Sequence, residues 1–320
     1  MDDLLRLING YQVTQAIHVA VTLGVPDRLA QRALTADDLA AATDAHPPSL
    51  YRLLRALAAV GILHEDAERR FALTALGEGL RSDAPDSPAG WAAFVGRPYH
   101  FAAWSHLLHS VRTGETAFRA VHGVDTWTYR AEHPEEGGVF DAAMTALSRR
   151  VTAGVLDAHD FSGYSVIVDV GGGRGALLSA ILARHPDARG ILFDQPGVVA
   201  GAQPGERCDV VGGDFFERVP EGADAYVLKS ILHDWDDAPA IAILRSIRQA
   251  ASPGAAVLIV ERQLGPPNTE PAGKLSDLNM LVGTGGRERT QDEYAALLDA
   301  AGYTVVGETP AGPVSVIEAR

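Results

Sequence analysis

A single cysteine stands in the 320 residues, at Cys208, which excludes an internal disulfide and any zinc site built on several thiolates. Its setting, Cys208-Asp209-Val210-Val211, reads as a strand in which the thiol is a small buried side chain. No apolar stretch approaches the ~20 residues that cross a bilayer. The start, Met1-Asp2-Asp3 with Arg6 among leucines, lacks the basic opening and unbroken apolar core of a secretion signal. The expectation is therefore a soluble cytoplasmic protein with no membrane partner. Basic residues are also scarce: 27 Lys and Arg face 41 Asp and Glu, for a net charge of −14 and a pI near 5.2. That balance argues against a nucleic-acid backbone as the main partner. Repeats, low-complexity tracts and long linkers are absent too. What is present, 47% hydrophobic and 21% charged residues, describes an ordinary folded chain long enough for two domains.

The two halves differ in pattern. Before residue 150 the periodicity is helical. Leu4, Leu5, Ile8, Val13, Ile17, Val21 and Leu29 form an amphipathic series, and Thr35-Ala36-Asp37-Asp38 offers a capping box. Pro47-Pro48 opens a helix with Leu50, Leu53, Leu54 and Leu57 on one face, which Gly61 closes. Ile62-Leu63-His64 and Arg70-Phe71-Ala72-Leu73 then read as a hairpin, and Thr74 caps the next helix. Short helices followed by a hairpin make a winged-helix-like front, expected over residues 1–82. As a DNA reader its helix Ser49 to Val60 would offer Arg52 and Arg55, but the apolar surplus favours packing or dimer formation. A polar loop over residues 82–88 leads into a helical region, 83–150, carrying Trp91, Phe94, Trp104, Trp127, Phe140 and Met144. Such residues usually form core; as a group they could line an aromatic pocket.

From 151 to 320 strands and helices alternate, the mark of a doubly wound α/β sheet. Val166-Ile167-Val168-Asp169-Val170 runs into Gly171-Gly172-Gly173-Arg174-Gly175 and then Ala176 to Leu182: strand, tight turn, helix. Glycines at every second position, with Asp169 two before the first, differ from the dinucleotide fingerprint, which has two residues between its second and third glycines. A glycine turn serving only backbone geometry is the bland alternative. Gly190-Ile191-Leu192-Phe193 ends in Asp194, placed to accept hydrogen bonds from ribose hydroxyls or simply to solvate the turn Asp194-Gln195-Pro196-Gly197. Ala225 to Leu228, Ala255 to Val260, Tyr303 to Val306 and Val314 to Ile317 read as further strands. Ala240 to Ala250 reads as a helix, and Thr290-Gln291-Asp292-Glu293 as a second capping box with Gly302 ending its helix.

After the strand Ala225 to Leu228 comes Lys229-Ser230-Ile231-Leu232-His233-Asp234-Trp235-Asp236-Asp237, at the edge of the sheet where such folds place their chemistry. His233 is suited to take a proton near neutral pH, or is a polar loop residue beside acids that favour a helix start. A metal site from His233 and Asp237 is possible by spacing; the expectation is no metal.

Taken in order, Asp169-Val170-Gly171-Gly172-Gly173, Phe193-Asp194-Gln195-Pro196, Gly213-Asp214-Phe215, Lys229 with His233-Asp234-Trp235, Val260-Glu261 and Gly285-Gly286-Arg287-Glu288-Arg289-Thr290 resemble the S-adenosylmethionine (SAM)-dependent O-methyltransferases of the plant caffeate and acetylserotonin type, in their bacterial natural-product branch. The resemblance covers nearly the whole chain. It implies a Rossmann-like SAM-binding domain behind a dimerisation domain, with SAM as cofactor, S-adenosylhomocysteine as product and a small aromatic acceptor. By the same resemblance His233 is the general base, oriented by Glu261 and Glu288. Asp169, Gly171, Gly172 and Gly173 approach the methionine part of SAM, with Ser148 as an extra contact to its carboxylate. Asp194 lies at the ribose, Gln195 after it also belongs to the cofactor site, and Asp214, Phe215 and Lys229 surround the adenine. Phe140, Met144, Asn279 and Met280 line the acceptor pocket, and the front domain forms a homodimer without binding DNA. Arg174 departs from the small hydroxyl residue commonest at its position.

SAM carries its methyl on a cationic sulfur, so the protein must align an oxygen with it and exclude water. A phenol, with a pKa near ~10, gains from a base at its hydroxyl. The rival readings are a protein of the same fold that keeps SAM but hydroxylates, decarboxylates or rearranges, and a winged-helix regulator. A nicotinamide dehydrogenase is disfavoured by the glycine spacing, and a serine hydrolase lacks its Gly-x-Ser-x-Gly elbow.

Overall fold

The computed structural model describes residues 2–84 and 86–320; Met1 and Pro85, the latter within the expected polar loop, lie outside them. Two compact units emerge. One comprises residues up to Phe101 together with Glu135–Arg150, the other Ala102–Pro134 together with Val151–Arg320. Residues 83–150 contribute to both.

In the first unit, helices Asp2–Ile8, Gly10–Thr22 and Val25–Leu29 precede the short strand β1 (Leu34–Thr35). Thr35 closes the anticipated capping box on helix Ala36–Thr43, its hydroxyl accepting from Asp38 N while the Asp38 carboxylate accepts from Thr35 N. Proline at the first turn starts helix Pro47–Ala59, because its fixed φ and missing N–H suit that position. The helix buries Leu50, Leu54 and Leu57. Strands β2 (Leu63–Glu65) and β3 (Arg70–Leu73) form the hairpin, and β1 joins β3 to give a three-stranded antiparallel sheet. Their core gathers Leu39, Leu54, Leu57 and Phe71. Leu4, Leu5, Leu7 and Ile8 stay outside it, 51–73% exposed.

The second unit is built on a seven-stranded sheet. Its strands are β4 (Val166–Val170), β5 (Arg189–Asp194), β6 (Cys208–Gly212), β7 (Ala225–Lys229), β8 (Ala256–Glu261), β9 (Val305–Ala311) and β10 (Val314–Ala319). They lie in the order β6-β5-β4-β7-β8-β10-β9, parallel from β6 to β8 and antiparallel at β10 and β9. The fold class is the expected α/β one. Alternate residues of the central strands enter two cores: Val168, Tyr226, Leu228, Val257 and Ile259 on one face, Ile167, Val227, Leu258 and Val260 on the other. Both faces are covered, which is why these strands read as unbroken apolar runs. Chain order reverses beside β4, whose neighbours are β5 and β7. That switch point opens the crevice beyond the carboxyl ends of the strands.

Two expectations are corrected and one element is added. Cys208 is only partly buried, since β6 is the outermost parallel strand and has a neighbour on one side alone. The closing pair begins at Val305 instead of Tyr303, because Tyr303 N still donates to Leu298 O as part of the turn that Gly302, at φ +88°, makes after helix Gln291–Ala301. Helix Pro271–Gly283 has no counterpart in the strand-and-helix reading of the sequence. Among the described residues, no helix is long and apolar enough to cross a membrane.

Candidate active site

Beyond β4 the ladder continues into the glycine turn, where Gly171 N and Gly172 N both donate to Phe193 O. Gly171 and Gly173 hold positive φ, and a Cβ on Gly171 would meet Ile231 Cδ1 at 2.4 Å. One on Gly172 would strike the Asp169 carboxyl carbon at 2.5 Å, whereas Gly173 faces open space. The two expected cofactor elements meet here: Gly173 N donates to Asp194 Oδ2 (2.8 Å) and Gln195 N to Asp194 Oδ1 (2.7 Å). Asp194 is thus aimed by the turn it touches. Asp169 is buried, and that burial pushes its carboxyl up to about 7 against the pull of Lys229. Burial also pushes the Lys229 ammonium down, opposed by Asp169. Asp214 is exposed and its Oδ1 accepts from Phe216 N. Phe215, half-buried, meets Trp235 edge-on at 6.1 Å, and Trp127 stacks on the same indole at 6.4 Å.

After β7 the chain turns sharply. Ser230 adopts φ +57°, unusual for a residue with a side chain, and a place where strain gathers at working sites. Glu261, at the end of β8 and fully buried, grips the backbone just past this turn: its Oε1 accepts from both Ile231 N and Leu232 N at 2.8 Å. Its other oxygen, Oε2, lies 3.3 Å from His233 Nδ1, and Glu288 Oε1 lies 3.4 Å from the same nitrogen. Glu288 is itself fixed, accepting from Ser276 Oγ at 2.6 Å while its backbone N–H donates to Asp277. Nδ1 is buried, so the 16% of the His233 side chain that stays accessible lies elsewhere on it. On the far side, Asp234 Oδ1 stands 3.9 Å from Nε2.

Burial would depress the imidazole, but Glu261, Asp234 and Glu288 outweigh it and raise His233 to about 10. Burial in turn pushes Asp234 up to about 6, with the His233 charge opposing. Glu261 is raised by burial, whereas Glu288, also desolvated, ends below its ordinary value through His233 and Ser276. Such a cluster of carboxylates, two of them at ion-pair distance from Nδ1, stabilises the imidazolium over the neutral ring. His233, Glu261 and Glu288 also stand close enough, within 4.8 Å, for a metal ion to take the place of the ring proton. Asp237 is engaged elsewhere, by Arg287 and Arg289.

His233, Glu261 and Glu288 are therefore brought together, as are the glycine turn with Asp194 and Asp169 with Lys229. Asn279 accepts from Trp104 Nε1 at 3.0 Å, and Met280 is buried on the same helix. Phe140, Met144 and Ser148 lie on helix Pro134–Ala158 within the first unit, where Phe140 meets Phe94 edge-on at 5.3 Å and Ser148 is buried. Sequence alone assigns no role to Arg289 or Ser276. It reads Asp234, Asp236 and Asp237 as favouring a helix start; Asp236 takes the N-cap position and Asp237 opens helix Asp237–Ala250 as expected, Asp237 also binding two arginines, while Asp234 faces the imidazole. The one available signal is the Gly285 to Thr290 run itself.

Residues 5–83 match the O-methyltransferase dimerisation domain and residues 104–304 the O-methyltransferase domain. The chain is 44% identical, over 99% of its length and 95% of the relative's, to phenazine O-methyltransferase PhzM of Lysobacter antibioticus. The crystal structure of human N-acetylserotonin methyltransferase in complex with SAM superposes with a TM-score of 0.92 at 30% identity, covering 99% of this chain and 96% of that one. At 34% identity, over 99% of this chain and 88% of the relative, it is also similar to aclacinomycin 10-hydroxylase RdmB of Streptomyces purpurascens. With its dimerisation domain in front and its catalytic domain behind, the chain belongs to the O-methyltransferase family.

Proposed function

We propose that this protein transfers the methyl group of SAM to a phenolic hydroxyl of a small aromatic natural product, with His233 as general base. The observation that carries the reading is the imidazole held between two buried carboxylates at the carboxyl edge of the sheet. The cofactor residues fit SAM: the crevice floor is glycine where side chains would collide, Gly173 faces open space, and Asp194 is fixed at the end of β5. When bound, SAM supplies a methyl already activated on a cationic sulfur. Gly171, Gly172 and Gly173, with Asp169, would hold its amino-acid end, Asp194 its ribose, with Gln195 beside it in sequence, and Asp214, Phe215 and Lys229 its adenine; Ser148, in the first unit, is proposed as a further contact.

His233 takes the acceptor's proton at Nε2 while Glu261 and Glu288 hold the resulting charge. Asn279 and Met280 in the catalytic unit, and Phe140 and Met144 in the first, are the residues assigned to the acceptor, and an aromatic acceptor is supported by the substrates that the relatives' names carry. Residues 1–82 form a homodimer, supported by the dimerisation-domain match and by Leu4, Leu5, Leu7 and Ile8 on the surface. Residues 83–150 then connect to a catalytic domain over 151–320, and the enzyme works in the cytoplasm.

The test is incubation with methyl-labelled SAM and a panel of phenols, read by mass spectrometry, for wild type and His233→Asn. A labelled methyl on oxygen, lost in the variant, supports the reading. Kinship to a hydroxylase favours one other reading, the same cofactor site running different chemistry. Product that gains oxygen in place of the label would establish it.

A further inference from the structure

Two side chains reach the His233 turn from opposite directions. Glu261 takes its N–H groups at Ile231 and Leu232. Arg289 takes the carbonyls that bracket His233 and Asp234: Nη1 donates to Leu232 O at 2.9 Å and Nη2 to Trp235 O at 2.8 Å. The guanidinium is fully buried, and its remaining donors are met as well: Nη1 also donates to Arg287 O at 3.4 Å, and Nη2 and Nε donate to Asp237 Oδ1 at 2.9 and 3.2 Å. Burying an arginine is expensive unless its charge is paired and its donors are satisfied. Here the planar fork answers three carbonyls and a carboxylate at once, a geometry lysine cannot copy. The close approach of Gly286 to the same turn leaves it little room to shift: a Cβ there would sit 2.1 Å from His233 O.

We propose that Arg289, held in place by Asp237, is a positioning residue for His233, fixing the backbone on both sides of the imidazole so that Nδ1 stays between Glu261 and Glu288. This rests on the reading of His233 as the base, but its effect on the ring does not require catalysis. The ionisable groups facing that ring are Asp234 beside it, Glu261 from β8 and Glu288 from the segment before helix Gln291–Ala301. If the turn loosens, the nitrogen drifts from its two carboxylates and loses their support.

The experiment uses Arg289→Lys and Asp237→Asn in the full chain with histidine labelled for NMR, the His233 resonance being assigned from its absence in His233→Asn. Arg289→Lys should move the His233 titration toward the ordinary histidine range by about one pH unit or more. It should also lower kcat on the order of 10–10²-fold, with KM for the acceptor and SAM affinity little changed. Asp237→Asn should move both in the same direction by less. Unchanged titration in folded Arg289→Lys overturns the proposal, even if the melting temperature drops, because that is what a merely structural arginine would do. Should Arg289→Lys not fold, Asp237→Asn decides alone: its side chain is 46% exposed, and an unmoved titration there also overturns the proposal. Failure of the base reading looks different, since His233→Asn would then keep its activity while the titration still shifted in Arg289→Lys.

Discussion

Gly286→Ala should disable the enzyme without unfolding it. A methyl at this position would sit 2.1 Å from His233 O, 2.3 Å from Asp234 C and 2.4 Å from Trp235 N, all backbone atoms with no flexible end to swing aside. Ordinary contact begins at 3.4 Å, so the two segments must separate by roughly 1 Å, within what an overpacked site absorbs at about 1–3 kcal/mol. The same displacement applied to a base costs on the order of 10²-fold in rate, because Nε2 leaves the line of the acceptor hydroxyl. The assay is single-turnover methyl transfer beside thermal melting and SAM calorimetry. Gly283→Ala, three residues away and facing open space within 4 Å, serves as the control. A Gly286→Ala enzyme with kcat within about threefold of the control would refute the argument that the turn is held to this precision.

Asp194→Ala should weaken SAM binding by calorimetry, since the fixed acceptor at the end of β5 and its tie to Gly173 N go together; affinity equal to wild type would remove Asp194 from the site. Light scattering should give twice the 33.8 kDa chain mass, and Leu4→Glu combined with Leu7→Glu should drive the protein toward monomer; a wild-type monomer at micromolar concentration contradicts the dimer. His233 also sets a pH signature on stability. Its folded pKa lies near 10, above the unfolded 6.5, so its contribution is complete below 6.5 and is lost as pH rises through 10. The stability advantage of wild type over His233→Asn in chemical denaturation should narrow across that window; a constant gap would mean the carboxylates do not support the charged ring.

Most of this architecture is written locally. A β-branched strand running into Gly171, Thr35 and Thr290 with an acid three residues on, and Pro47 at a helix start each carry their own backbone instruction, so the elements are readable one by one. The proposed base and its two carboxylates, His233, Glu261 and Glu288, come from segments 28 and 27 residues apart along the chain, and resemblance rather than spacing joins them. What escapes such reading is contact between segments. Arg289 stands in the sequence only as one residue of the Gly285 to Thr290 run, and nothing nearby says that its partners include the carbonyls of Leu232 and Trp235. Two-residue β1 has no periodicity to detect, and it exists because β3 offers it an edge. Helix Pro271–Gly283 combines buried Met280 with exposed Leu275, which blurs its amphipathic stripe.

The proposed base carries a consequence for the pH–rate profile that its tight support makes unusual. With His233 near 10, the free enzyme at neutral pH holds the imidazole protonated. The phenol, near ~10 as well, is also protonated, so the productive pair must lose one proton to water. Neutral imidazole with phenol and imidazolium with phenolate contain the same number of protons, and kinetics cannot tell them apart. Either way kcat/KM should rise about tenfold per pH unit from 6 toward 10. An acceptor made more acidic by an electron-withdrawing ring substituent reaches the same protonation count at lower pH, as phenolate beside the imidazolium. Its plateau should therefore begin at its own pKa. In His233→Asn the profile should track the acceptor's pKa for every member of the series, at a rate on the order of 10²–10⁴-fold lower for the least acidic and with a smaller deficit as acidity increases. A wild-type profile flat from pH 6 to 9 with a simple phenol would mean that His233 is not held as the two carboxylates require. A variant deficit independent of acceptor acidity would mean that His233 positions the substrate and moves no proton.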